Sequence, residues 1–243
     1  MTKLSVNVNK VATLRNTRPG LEIPSVLHCA RLCLEAGAHG ITVHPRPDQR
    51  HIKPRDVDEL ALLVREYPGV ELNIEGNPFI DYMPIIERVL PTQATLVPDT
   101  PEALTSDHGW QLDRELERLL PIVTRLKDLG VRVSLFMDAV PESMDLARHA
   151  GADRVELYTE PYAAAFARGD LRAAEPYRAA AERAAKAGLS VNAGHDLNLA
   201  NLGPFLRQVP NVAEVSIGHA LIGDALEFGL RETVKMYLEA RGH

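Results

Sequence analysis

Eight short aliphatic runs recur along the chain, and each is followed by a stretch with helical periodicity. The runs are Leu4–Val8, Gly40–Val43, Val70–Ile74, Thr95–Val97, Val131–Phe136, Arg154–Leu157, Leu189–Asn192 and Glu214–Ile217. Helical patterns occupy Ser25–Ala36, Arg55–Glu66, Ile80–Val89, Leu112–Leu129, Glu142–Ala150, Leu171–Ala187, Leu199–Gln208 and Ala225–Ala240. Short strands alternating with helices pair in parallel through right-handed crossovers. Glycine marks the joints: Ala36-Gly37, Leu129-Gly130, Ala150-Gly151 and Ala187-Gly188 each close a helix just before a strand. In 243 residues, eight such units fit a (β/α)8 TIM barrel, which typically needs about 250. An open doubly wound sheet shares the local pattern, but eight near-equal units mark no strand as an edge. The expected architecture is α/β: one barrel domain over residues 1–243, with an additional helical or loop insertion. Two long stretches stand out, Asn9–Pro24 after the first strand and Pro98–Trp110 after the fourth.

Composition narrows the function. No run of 18 apolar residues is present, and the segment from Met1 leads straight into alternating residues without the apolar core of a signal peptide. The net charge of −6 argues against general nucleic-acid binding, and no membrane partner is expected. Two cysteines, Cys29 and Cys33, sit one turn apart on one predicted helix and read as buried apolar residues. They supply no disulfide framework, so a reducing cytoplasm is the expected compartment.

Barrels keep their chemistry at the C-terminal ends of the strands. Those ends here read Asn7-Val8-Asn9-Lys10, His44-Pro45-Arg46, Asn73-Ile74-Glu75-Gly76, Asp138, Glu156 with Thr159 and Glu160, Asn192-Ala193-Gly194-His195 and Ile217-Gly218-His219. Polar groups from nearly every strand thus converge on one rim. A strand-end polar residue often only caps a helix or satisfies a turn. For Asn7, Glu75 and Glu156, period-two alternation points the side chain inward, and an inward carboxylate is costly unless paired or catalytic.

Two anion sites are expected. The segment Gly218-His219-Ala220-Leu221-Ile222-Gly223 leads from the last strand into a helical turn whose N–H groups suit a phosphate. The loop His44-Pro45-Arg46-Pro47-Asp48-Gln49-Arg50-His51 concentrates cationic groups, to which Arg15 and Arg18 add charge from the first loop. Glycines that merely allow turns and a solvated basic loop are the bland alternatives. The histidines show no His-x-His pair of the kind zinc barrels use, and no metal site is expected. His39, His108, His149 and His243 read as surface or cap residues, and Trp110 as a loop anchor or pocket lid.

Five segments carry a resemblance over essentially the whole length: Val8-Asn9-Lys10-Val11-Ala12-Thr13-Leu14-Arg15-Asn16, Gly37 to Arg46, Arg50-His51-Ile52, Val191 to His195, and Ile217 to Gly223. The chain resembles the pyridoxine 5′-phosphate synthase family. The resemblance implies condensation of 1-deoxy-D-xylulose 5-phosphate with 3-amino-2-oxopropyl phosphate, giving pyridoxine 5′-phosphate, phosphate and water. It implies His44, Glu75 and His195 as general acid/base residues and Glu156 as a transition-state carboxylate. Arg46, His51 and Thr105 match contacts to the ketose phosphate; Asn7, Arg18, Gly218 and His219 match contacts to the aminoketone phosphate. No metal or organic cofactor is implied, and family members are octameric barrels. The family's usual Asn-x-Asp-His at strand 1 is here Asn7-Val8-Asn9-Lys10, the glycine after the strand-7 histidine is Asp196, and the segment before Glu75 is slightly longer. Asn9, Lys10 and Asp196 are kept as substrate-binding candidates, Lys10 through a substrate hydroxyl or phosphate. The 98–110 segment is the candidate lid. The rival readings are another phosphosugar barrel, an aldolase or isomerase, and a non-catalytic binding protein.

Overall fold

The computed structural model describes residues 1–100, 103 and 105–242. Its strands are β1 (Lys3–Asn7), β2 (Gly40–Val43), β3 (Glu71–Gly76), β4 (Gln93–Leu96), β5 (Arg132–Met137), β6 (Arg154–Tyr158), β7 (Ser190–Gly194) and β8 (Val212–Ile217). They pair in chain order, all parallel, and β8 closes on β1 with Lys3 opposite Glu214. The barrel therefore holds, and the open sheet is excluded.

Among the described residues the helices are α1 (Asn9–Asn16), α2 (Val26–Glu35), α3 (Pro54–Arg65), α4 (Met83–Val89), α5 (Leu112–Asp128), α6 (Ser143–His149), α7 (Glu160–Ala167), α8 (Glu175–Lys186), α9 (Leu202–Gln208), α10 (His219–Phe228) and α11 (Leu230–Ala240). The additional helical material is α1, α7 and α10, where the sequence pattern marks loop or a single turn before the next helix. α1 escaped because its buried face is Val11, Ala12 and Arg15, and an arginine does not register as part of an apolar stripe. α10 and α11 read as a turn and a helix from Ala225. They are two helices because Gly229, at φ +79°, breaks the run after Phe228.

Along each strand the two faces differ sharply. One set of alternate residues packs against the helices: Leu4 and Val6, Ile41 and Val43, Leu72 and Ile74, Val133 and Leu135, Val155 and Leu157, Val215 and Ile217, all buried in one apolar core. Each such side chain contributes about 1.5–3 kcal/mol relative to exposure. The other set fills the lumen, and it is polar, whereas barrel interiors are ordinarily packed with branched aliphatics. Ser5 shares a hydrogen bond with Thr42 (2.7 Å), Thr95 donates to Asn73 (2.9 Å), and Arg132 donates to Gln93 (2.9 Å). Lower down, Glu71 takes both Lys3 and Arg132, and Arg154 reaches Asn192 (3.1 Å) and Glu214 (3.4 Å). No helix among the described residues is long and apolar enough to cross a membrane.

Candidate active site

The polar lumen opens at the C-terminal ends of the strands into a cavity of about 430 Å³. Every site residue nominated from the sequence lines it except Arg18: Asn7, Asn9, Lys10, His44, Arg46, His51, Glu75, Thr105, Glu156, His195, Asp196, Gly218 and His219. Arg18 does not line it but lies in a neighbouring surface depression, with Gly20, Glu22 and Lys53, that meets the cavity at Arg50. Thr13, Ser106 and Ser216 also line the cavity and were missed. Ser216 was findable, as the middle of the alternating set Glu214, Ser216, Gly218. Thr13 was not, because its helix had been read as loop.

Glu75 and Glu156 stand on the inward faces of β3 and β6, 5% and 1% exposed. Burial, with Glu156 and other carboxylates near, pushes Glu75 well above the ordinary carboxylate pKa. Burial and Glu214 below it push Glu156 up to about 8. Glu156 Oε2 has no hydrogen-bond partner among the described residues. His44 Nδ1 lies 3.9 Å from Glu75 Oε2, too far for a direct hydrogen bond. Burial, with His51, Arg46 and His195 adding positive charge, drives the His44 pKa well down. His51 falls to about 4 from burial, with Arg46 and Lys10 adding to the effect. Near neutrality these groups are therefore neutral imidazoles beside protonated carboxyls. An anionic substrate shifts these imidazoles back toward protonation.

His195 leans on Phe136 and Tyr158, with ring centroids 5.0 and 5.5 Å away. Burial lowers its pKa, and its Nδ1 has no hydrogen-bond partner among the described residues. His195 and Asp196 both take positive φ, 73° and 53°, an unfavourable conformation for residues bearing a Cβ. Their carbonyls are held from both sides. The Thr159 hydroxyl donates to His195 O, and Asn201 Nδ2 donates to Asp196 O (3.1 Å).

Asn9, one of the departures from the family pattern, turns its Oδ1 to the backbone N–H of His44 (2.9 Å), and its own N–H donates to Asn7 Oδ1 (3.0 Å). It braces the end of β2. Lys10 is exposed in the cavity, close enough to His51 and His195 to lower both. Arg46 is 5% exposed. It donates to Asp99 (3.1 Å) and to the carbonyls of Thr100 (3.0 Å) and Ala103 (2.6 Å). Ser106 donates to the same Asp99 oxygen (2.7 Å). These bonds tie Arg46 to the candidate lid; Pro101, Glu102 and Leu104 of that segment lie outside the described residues, as does His243. Trp110 is an anchor: it is buried, and its Nε1 donates to Leu96 O (2.8 Å). Arg15 corrects the expectation of rim charge, because it is 3% exposed and paired with Asp56.

The two glycines weighed as turn residues have another reason to be glycine. A Cβ on Gly194 would stand 2.5 Å from Glu156 Oε1, and one on Gly218 would stand 3.1 Å from the Asn7 side chain. Each strand end is bare so that a neighbouring strand's functional side chain has room. Gly218 also opens α10, whose first residues His219 and Ala220 line the cavity, so the free N–H groups of its first turn lie at the cavity edge. Among the described residues no group of three or more His, Cys, Asp or Glu is placed to hold a metal ion.

A pyridoxine 5′-phosphate synthase from Albidiferax ferrireducens is 56% identical over 98% of this chain and 96% of its own. One from Bacteroides thetaiotaomicron is 51% identical over 98% of both. Solved barrels show the fold alone: tryptophan synthase from M. tuberculosis overlays with a TM-score of 0.65 at 13% identity, over 99% of this chain and 92% of that one. Thiamine phosphate pyrophosphorylase from Pyrococcus furiosus gives 0.63 at 17%, over 99% and 95%. The family profile described as "Pyridoxal phosphate biosynthesis protein PdxJ" matches residues 4–242, the whole barrel with every residue of the cavity, and the chain belongs to that family.

Proposed function

We propose that the chain is an enzyme, a pyridoxine 5′-phosphate synthase, condensing 1-deoxy-D-xylulose 5-phosphate with 3-amino-2-oxopropyl phosphate to pyridoxine 5′-phosphate, phosphate and water. One observation carries this reading: a single cavity is lined by the first residues of α10, by Arg50 and His51, and by Glu75, His44, Glu156 and His195. Two phosphorylated substrates need two anion-binding edges. Imine formation, elimination of phosphate, deprotonation of carbon and loss of water need several proton carriers at one place. Glu75 and His44 act as one proton-exchanging pair. His195 serves as the second acid/base, and Glu156, uncharged at neutral pH, donates a hydrogen bond to oxygen that becomes negative. His51, Arg46 and Thr105 take the ketose phosphate, while Asn7, Gly218 and His219 take the aminoketone phosphate. Lys10 meets a substrate hydroxyl or phosphate, Asp196 stands beside the aminoketone phosphate, and Asn9 acts through His44. No metal or organic cofactor enters the scheme. Arg18 completes a phosphate site only if the chain or a neighbouring copy brings it closer than this structure does.

We also propose that residues 1–243 work as one catalytic domain, in the cytoplasm, as a homo-octamer. Leu14 on α1 and Leu226 and Phe228 on α10, helices that pack together, remain 51%, 78% and 49% exposed, which favours self-association. Light scattering checks the assembly. The function is checked by incubating the protein with both phosphates and identifying the product. Pyridoxine 5′-phosphate with stoichiometric phosphate release supports the reading; sugar-phosphate cleavage or isomerisation without it overturns the reading in favour of another phosphosugar barrel.

A further inference from the structure

The loop between β2 and α3 carries Arg50 and His51 into the cavity with no regular secondary structure of its own. It is held through its backbone by α1. Asn16 Nδ2 donates to the carbonyl of His51 at 2.7 Å and lies 3.2 and 3.3 Å from those of Arg50 and Gln49. Gln49 sits at φ +52°, a conformation that an outside contact must support. Asn16 Oδ1 accepts from Arg15 Nε (3.1 Å), so the amide cannot flip without losing a bond at each end. The Arg15 guanidinium donates to His51 O (3.2 Å) and grips both Asp56 oxygens, at 2.6 and 2.8 Å. Asp56 in turn accepts from the backbone N–H of Lys53 (2.8 Å), at the start of α3. Arg15 and Asp56 are each 3% exposed, and none of the three side chains lines the active-site cavity.

The backbone of this loop also sets the imidazole. His51 Nδ1 accepts from the N–H of Ile52 (2.9 Å), which leaves Nε2 as the ring nitrogen available to a ligand. The ring meets His44 edge-on at 6.1 Å. A shift of the loop backbone therefore turns His51 with it. Burying an arginine–carboxylate pair gains little stability over apolar packing of the same volume. Its fixed fork instead supplies direction, since five donors on a plane hold two partners at a defined angle.

We propose that Arg15, Asn16 and Asp56 are positioning residues, a clamp built on the buried Arg15–Asp56 pair that fixes the backbone of residues 49–51 so that His51 and Arg50 meet one of the two phosphorylated substrates. The proposal rests on the functional reading above for the identity of that substrate, but not for the binding of an anion at the loop.

The test is N16D, which keeps the acceptor for Arg15 and removes the donor to the loop carbonyls. Displacement on this scale costs about 10- to 100-fold in kcat/KM. The expected result is a loss of that size, carried by KM for the ketose phosphate, while KM for the aminoketone phosphate stays within about twofold. H51A should give the same split, and N16D/H51A should lose less than the product of the two single losses, because His51 accounts for part of what Asn16 holds. Unchanged kinetics in folded N16D, equal rises in both KM values, or additive losses in the double variant overturn the clamp. If N16D does not fold, R15K provides the same test: it keeps a charge for Asp56 and loses the fork. Inorganic phosphate binding, measured by titration calorimetry on wild type and variant, separates the two claims. A wild type that makes no pyridoxine 5′-phosphate, with phosphate binding still weakened by N16D, rejects the function and keeps the clamp. Equal phosphate binding in wild type and folded N16D rejects the clamp.

Discussion

The floor and the mouth of the barrel lumen are built from the same strands by the same period-two alternation, yet they treat charge in opposite ways. At the floor each carboxylate has a cation: Glu71 takes Lys3 and Arg132, and Glu214 takes Arg154, although burial still holds Glu214 above the ordinary carboxylate pKa. At the mouth Glu156 has an oxygen without a partner among the described residues, and Glu75 has an imidazole 3.9 Å away. Matched buried charge holds a structure in register. Unmatched buried charge costs stability and shifts its pKa into the range where proton transfer is useful. The difference between structural and chemical polar residues therefore lies in their partners and their burial, not in residue type.

Four measurements test this contrast. The largest effect is expected at the mouth: E75Q should lower kcat by about 10²–10⁴-fold with thermal stability unchanged or raised, because an amide is cheaper to bury there than a carboxyl under like charge. A stable variant with full turnover would make Glu75 structural after all. At the floor the reverse holds. R154M strands Glu214 and should cost about 3–5 kcal/mol in urea unfolding, while R154M/E214L recovers most of it. G194A tests the border between the two zones. Its methyl would enter the space of Glu156 Oε1 and approach Ser216 O at 3.1 Å, so a loss of about 1–3 kcal/mol is expected, with turnover reduced as Glu156 is displaced.

The smallest effect is on the pH dependence of stability. Glu156 rises from 4.5 to about 8 on folding, so the native state holds that proton more tightly than the unfolded chain. This stabilisation is complete below 4.5 and is lost as pH rises through about 8. His51 runs the other way: its pKa drops from 6.5 to about 4, so its contribution is present above 6.5 and lost as pH falls through 4. Melting temperatures from pH 4 to 9 should show both limbs, with E156Q flattening only the alkaline one. An unchanged alkaline slope in E156Q would place the titrating group elsewhere.

The barrel was legible because its signal is local. Alternation along a strand and glycine at helix ends are written into neighbouring residues, and eight repeats reinforce one another. The polar rim was legible for the same reason, and Glu75, Glu156, His44 and His195 could be named from their places at strand ends. The family segments added assignments that spacing alone did not carry, such as Thr105. The polar floor was equally visible in Ser5, Asn73, Gln93, Arg132 and Arg154, but attention to strand ends passed over it.

What the sequence by itself determined, then, is the eightfold parallel barrel and the rim where its chemistry gathers. Tertiary structure alone decided which arginine does what. Arg15 and Arg18 read alike in one polar stretch, yet one is buried against Asp56, 41 residues away, and the other stands in a surface depression outside the cavity. Arg154 finds Glu214 across 60 residues. Pairing and desolvation are properties of residues distant in the chain, and they set both the cost of a buried charge and its pKa. No window of neighbouring residues contains them.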